Sequence, residues 1–268
     1  MLRGILFDLD GVLYVGDDMV AGAADTLEWV RSRGIPHLFV TNTTSRPRAA
    51  LCAKLSAMGI SVDAEQILTP PVAAARWLKT NADGPVALFV ADATRVEFEE
   101  LPLWDGDTQQ PVAAVVLGDL GKGWDFERLN TAFLLLMQQP APVLAALGMT
   151  RYWKAPEGLR LDAGPFVAAL EYAAGVRAVV LGKPAPAFFH SGAEMLGLNH
   201  GELLMIGDDI RSDVNAAQDA GLKGLLVKTG KYRPQDLEGN VAPDAVLASV
   251  AELACWWDAQ TVRGDQPE

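Results

Sequence analysis

Short, continuous apolar runs alternate along this chain with longer stretches in which apolar positions recur every three or four residues, the rhythm of strands alternating with helices. Gly4–Leu9 reads as a strand, Ala23–Ser32 as a helix closed by Gly34, and His37–Val40 as the next strand, which together make a βαβ unit. A helix over about Pro47–Met58 carries Leu51, Leu55 and Met58 on one face, opens near Ser45 and Pro47, and stops at Gly59. The last third resumes the rhythm with a strand at Ala178–Leu181, a helix at Ala187–Leu196, a strand at Leu203–Ile206, a helix at Val214–Ala220 and a strand at Leu225–Val227. Apolar runs of this kind suit strands buried on both faces, so the fold class is α/β with a doubly wound parallel sheet.

Between these halves, Lys79–Val179 reads as an α/β unit of its own. Its strands are Val86–Val90, Val112–Leu117 and Val143–Ala146, and its helices lie near Phe126–Met137 and Pro165–Ala174. The expected organisation is therefore a core of 1–78 and 180–268 interrupted by an inserted domain of 79–179. Asn81-Ala82-Asp83-Gly84-Pro85 and Gly182-Lys183-Pro184 provide the crossings. The polar end, Thr261–Glu268, is expected to fray.

Composition narrows the function. Half of the 268 residues are apolar, enough for a sizeable core, and the formal net charge is −12. With no basic stripe to offset that balance, neither a nucleic acid nor an anionic membrane surface is an expected partner. Cys52 and Cys255, far apart and each in a helical pattern, support neither a disulfide framework nor a zinc site, and a reducing cytoplasm follows. The chain runs from Met1-Leu2-Arg3 directly into a strand without the pattern of a signal peptide, and no apolar segment is long enough to span a bilayer. A soluble cytoplasmic enzyme fits these features.

Candidate chemistry sits at the strand ends. Asp8 and Asp10 are two residues apart at the end of an extended segment, so their side chains face the same way. Their repulsion is tolerable if a divalent cation such as Mg²⁺ shares the site. The same residues also read as a strand running into an Asp-Gly turn. Thr41 and Asn42 immediately precede a helix whose N-terminus would favour an anion. Lys183 lies within Gly-Lys-Pro, and Asp208, Asp209 and Asp213 lie within Gly-Asp-Asp-Ile-Arg-Ser-Asp.

The ordered set Asp8/Asp10, Thr41/Asn42, Lys183, Asp208/Asp209/Asp213 resembles the haloacid dehalogenase (HAD) superfamily of aspartyl phosphotransferases along the whole chain. The resemblance implies a HAD core in which Asp8 is the nucleophile and Asp10 the general acid and base. It implies that Thr41, Asn42 and Lys183 hold phosphate oxygens. Mg²⁺ would be held by Asp8, Asp208 and the backbone carbonyl of Asp10, with Asp209 and Asp213 positioning these groups. Asp213 also reads as an ordinary acidic residue near a helix N-terminus. The second Asp favours phosphoryl transfer over dehalogenation.

The insertion after Thr41 and before Lys183 resembles subclass IIA, which has an inserted α/β (C2-type, NagD-like) cap. Segments such as Arg151-Tyr152-Trp153-Lys154, Gly158–Phe166 and Lys228-Thr229-Gly230-Lys231-Tyr232-Arg233 are similar to the phospholysine phosphohistidine inorganic pyrophosphate phosphatase branch. Leu147-Gly148-Met149-Thr150-Arg151 stands where the NagD and nitrophenylphosphatase branches carry Asn-x-Asp, so their substrate preferences do not carry over. Arg151, Tyr152 and Trp153 are the candidates for cap specificity.

The expected function is a Mg²⁺-dependent phosphatase acting on a small phosphorylated substrate. Pyrophosphate or P–N hydrolysis on the same site is the alternative within catalysis, and a non-catalytic phosphate-binding protein is the alternative outside it. His37, His190 and His200 are expected to be packing or surface residues, not a cluster. Trp104 and Trp124 read either as part of an aromatic wall over substrate or as packing residues. Trp256-Trp257 would close a helix onto the core or, if exposed, mark an oligomer contact such as a homodimer.

Overall fold

The computed structural model describes residues 1–155 and 157–264, the side chains of 261–264 excepted, so the expected fraying at Thr261–Glu268 lies outside the described side chains. The chain divides into two compact units. One comprises Met1–Thr41, Leu51–Leu68 and the chain from Phe188 onward; the other comprises Asn42–Ala50 and Thr69–Ala187, a wider stretch than 79–179.

The first unit is built on a six-stranded parallel sheet with Gly4–Asp8 inside it. On one side of this strand lie His37–Val40 and then Ile67–Leu68; on the other lie Leu203–Gly207, Lys223–Val227 and Ala245–Leu247. The winding therefore reverses between Gly4–Asp8 and Leu203–Gly207, which pair in register from Gly4↔Leu203 to Phe7↔Ile206. Ligands of doubly wound sheets bind at the carboxyl ends of the strands where the winding reverses. Alternation puts Ile5, Phe7, Phe39, Leu204, Ile206 and Leu225 into one buried cluster, with the Phe7 and Phe39 rings stacked at 6.1 Å. Leu6, Leu38, Met205 and Leu226 are buried as well, as strands covered on both faces require.

The second unit has a four-stranded parallel sheet in the order Val179–Val180, Val143–Ala146, Ala114–Leu117, Val86–Phe89. This corrects one expectation. Val179–Val180 does not resume the first sheet; it pairs with Ala145 and Ala146 as an edge of the second. Two half-buried valines carry no mark of which sheet they join, and pairing beyond the local pattern decides it. The helix Pro70–Asn81, not anticipated from the apolar rhythm, starts with the Thr69 side chain accepting from the Val72 amide and with prolines in its first turn. Trp124 is packed between Phe89 and Phe166, with ring centroids 6.2 and 4.8 Å away, and the Trp104 indole donates to the Asp107 carbonyl. Both are packing residues. Tyr152–Ala155 and Gly158–Leu161 form a separate antiparallel hairpin.

Trp257 is buried against Trp29 at 6.4 Å and Trp256 packs beside it, so the pair closes the terminal helix onto the first core. His190 and His200 do come together, with ring centroids 4.6 Å apart; burial and the neighbouring His190 ring lower the His200 pKa. Cys52 and Cys255 are not joined in a disulfide. Among the described residues, no helix is long and apolar enough to cross a membrane.

Candidate active site

Asp8 closes the strand Gly4–Asp8, and Asp208 follows its neighbour Leu203–Gly207, so parallel pairing brings the two carboxylates to adjacent strand ends. A third arrives by a tight backbone reversal. After Asp209 the chain makes a π-helical turn over Ile210–Asn215 before the short α-helix Ala216–Asp219. In that turn the Asp209 amide donates to Asp213 Oδ2 at 3.2 Å. Gly207 makes room: a Cβ there would lie 2.2 Å from the Asp213 Cβ. Asp8, Asp208 and Asp213 are all buried, and each offers an oxygen within 4.8 Å of the others.

Asp208 is gripped by backbone. The Lys231 amide donates to its Oδ2 at 2.6 Å. Gly11 and Gly230 close around the same oxygen, both at positive φ (+88° and +61°), and a Cβ on either would lie 2.0 Å from it. The Thr229 hydroxyl donates to the Gly11 carbonyl and ties the two loops together. Lys231 is exposed as a residue, with its ammonium end partly withdrawn from solvent. Burial works to lower its pKa, but the charges of Asp208, Asp8, Asp213 and Asp209 prevail and raise it.

Asp209 has a different task from its neighbour. Its Oδ1 accepts from the Arg211 and Ser212 amides, each at 3.0 Å, and so starts the π turn. Burial alone would raise its pKa; those amides and the Lys231 charge outweigh it and hold the carboxyl below the ordinary range.

Asp10 is exposed and stands outside the carboxylate group; the expected ligand there was its backbone carbonyl. Thr41 is buried at the end of His37–Val40, its amide donating to the Leu68 carbonyl at 3.2 Å. The Asn42 side-chain amide is engaged with the Lys183 peptide, accepting from the Lys183 amide at 2.8 Å and donating to its carbonyl at 2.9 Å. Lys183 itself is buried. Asn42 therefore orients the Gly-Lys-Pro segment through backbone.

In the hairpin, Tyr152 and Trp153 are exposed, and the Arg151 and Arg160 guanidinium groups lie 5.8 and 5.6 Å from the Tyr152 and Trp153 ring centroids. Lys231 is the site residue that inspection of strand ends passed over. Its signal was present: Thr229-Gly230-Lys231 follows an apolar strand much as Gly182-Lys183 does.

The donor set suits a metal. Three buried carboxylates repel one another strongly, and hard oxygen ligands without His or Cys match a hard divalent cation. A family model described as haloacid dehalogenase-like hydrolase matches residues 5–103, and one described as HAD-hydrolase-like matches residues 180–253. Phospholysine phosphohistidine inorganic pyrophosphate phosphatase from Homo sapiens is 38% identical over 256 residues, 94% of this chain and 92% of the human protein. The chain belongs to the haloacid dehalogenase-like hydrolases.

Among solved structures of this family, 4-nitrophenylphosphatase from Thermotoga maritima aligns with a TM-score of 0.84 at 28% identity, covering 95% of this chain and 97% of that one. NagD from E. coli aligns with a TM-score of 0.82 over 94% of this chain and 98% of its own, and at 23% identity it speaks for the fold alone. HAD-like phosphatases generally use a divalent metal, and the buried Asp8, Asp208 and Asp213 oxygens form a group able to hold one.

Proposed function

We propose that this HAD-like hydrolase is a Mg²⁺-dependent phosphatase that hydrolyses small phosphate esters through an aspartyl-phosphate formed on Asp8. The observation that carries this reading is the buried group Asp8–Asp208–Asp213 at the point where the sheet's winding reverses. Bound there, the cation would screen the carboxylates from the incoming phosphate and stabilise charge on the phosphoryl oxygens.

In this proposal an Asp8 carboxylate oxygen attacks phosphorus in line as the ester oxygen leaves. Asp10, which lies just past the Asp8 strand end, protonates that oxygen. Asp10 then takes a proton from the water that cleaves the acyl phosphate, and orthophosphate and the free Asp8 carboxylate are regenerated. Family resemblance supports Thr41 and Lys183 as partners of the phosphoryl oxygens, with Asn42 holding the Lys183 peptide. The same proposal takes 1–78 and 180–268 as the catalytic core and 79–179 as the cap. Arg151, Tyr152 and Trp153 are its specificity residues. A cytoplasmic setting is supported by two cysteines that form no disulfide.

The test is phosphate release from p-nitrophenyl phosphate with Mg²⁺, beside EDTA-treated enzyme and Asp8→Asn. Release should depend on metal and fall by roughly 10⁴-fold in the variant, as for loss of other covalent nucleophiles. Near-normal turnover by Asp8→Asn would reject the mechanism. Pyrophosphate and a phosphoamidate run alongside would rank the bond types named for the human relative.

A further inference from the structure

The carboxylate group carries more negative charge than one divalent cation can balance. Asp8, Asp208 and Asp213 converge within 4.8 Å, and Asp209 adds a fourth carboxylate next in sequence. With a divalent cation bound, and with Lys183 counted as the first cation proposed above for the phosphoryl group, these four acids still leave one formal negative charge, and a phosphate ester brings two more near neutral pH. Entry of the substrate therefore calls for positive charge supplied by the protein.

The turn after the strand Lys223–Val227 is built to place such a charge. Its backbone is pinned at three consecutive residues: Thr229 donates to the Gly11 carbonyl, Gly230 fits only without a Cβ, and the Lys231 amide holds Asp208 Oδ2 at 2.6 Å. These contacts put the Lys231 Cα beside the buried carboxylates while the residue as a whole keeps contact with solvent. The backbone bond from Lys231 to Asp208 Oδ2 sets the root of this side chain against the carboxylate group, and among the described residues no acid forms a direct ion pair with its ammonium. A cation attracted by a site and not consumed by a partner is free to meet an anion there, and a lysine on its flexible stem suits phosphate.

We propose that Lys231 is a second cation for the phosphoryl group, a substrate-binding residue held at the metal site by its own backbone amide. The inference rests on the phosphatase reading and deepens it. It implies opposite effects on the two ligands: the Lys231 charge attracts phosphate but repels the metal. A residue whose role is only to hold Asp208 in place would help both.

The experiment compares wild type, Lys231→Gln and Lys231→Arg, each retaining the backbone amide. Titration calorimetry measures Mg²⁺ binding without phosphate, and inhibition by inorganic phosphate at saturating Mg²⁺ measures the anion. Lys231→Gln should weaken phosphate inhibition and raise KM by roughly tenfold, the scale of one charge-assisted hydrogen bond. It should leave Mg²⁺ affinity equal or tighter, while Lys231→Arg keeps most of the phosphate affinity. If Lys231→Gln binds phosphate as wild type does, or loses Mg²⁺ and phosphate affinity together, the role of Lys231 is overturned while the phosphatase reading stands. A wild-type protein that binds Mg²⁺ but neither binds nor releases phosphate overturns both. Should Lys231→Gln be poorly folded, loss of phosphate inhibition in a folded Lys231→Arg also counts against the proposal.

Discussion

At the scale of single residues, the site depends on where side chains are missing. Gly230 and Gly16 have nearly the same backbone, φ +61° and +63°, but a Cβ on Gly16 would meet nothing within 4 Å, whereas one on Gly230 would lie 2.0 Å from Asp208 Oδ2 and 2.5 Å from the Gly11 Cα. Alanine at either position carries the left-handed penalty of about 1–2 kcal/mol. Only Gly230→Ala also has to move a carboxylate and a neighbouring loop. Gly16→Ala should therefore lose only that penalty in urea and Gly230→Ala more, and Gly230→Ala alone should lose Mg²⁺ affinity, by tenfold or more at about 1.4 kcal/mol of displacement. Equal metal binding by the two variants would show that the grip on Asp208 has no functional weight. Spacing singled out Asp8 together with Asp10, but only Asp8 closes the strand and joins the carboxylate group, while Asp10 lies past its end and is exposed. Asp208 and Asp213 were legible only as members of the ordered motif set. The reason for Gly207, Gly11 and Gly230 was not legible, since each is explained by a group distant in the sequence or folded back by the π turn.

Among elements, legibility followed length and burial. Strands such as Gly4–Asp8 and Leu203–Gly207 have continuous apolar sequences and are buried throughout, so their pattern alone marks them. Ile67–Leu68 is two residues long and directly precedes Thr69-Pro70-Pro71, which reads as a turn until the Thr69 cap shows that the prolines open a helix. Val179–Val180 is equally short, and its side is chosen by pairing with Val143–Ala146.

The Tyr152–Leu161 hairpin had no clear apolar alternation toward a core, and it exposes Tyr152, Trp153, Leu159 and Leu161. Exposed aromatic rings beside guanidinium groups have little to do for stability, which makes them suited to substrate contact. Tyr152→Ala and Arg151→Ala should change stability by no more than about 0.5 kcal/mol. They should reorder kcat/KM across a panel of phosphate esters, pyrophosphate and a phosphoamidate more than they change turnover of p-nitrophenyl phosphate. An unaltered ranking would remove the hairpin from the specificity argument.

For the whole molecule, acidity and metal dependence are linked through one unit. The formal charge of −12 is spread over the chain, but the buried convergence of Asp8, Asp208 and Asp213 belongs to the first compact unit. The second unit has its own parallel sheet and its own cores, formed by residues such as Val86, Val116 and Ala145 on one face and Val115, Leu117 and Leu144 on the other. Metal binding should therefore stabilise locally. A ligand present at 100 times its Kd adds about 2.7 kcal/mol to the state that binds it, and here the gain relieves repulsion among buried like charges. Hydrogen exchange followed by mass spectrometry, with Mg²⁺ against EDTA, should show slower exchange in segments around 4–11, 203–216 and 228–232. Exchange over 86–89, 114–117 and 143–146 should change little, because those strands belong to a separately packed sheet. In Asp213→Asn the protection gained with Mg²⁺ should shrink, while exchange without metal should slow, since one of three mutually repelling charges is gone. Uniform protection of both units would mean that the two cores open as one cooperative structure. Protection without any difference between wild type and Asp213→Asn would place the cation away from this carboxylate group.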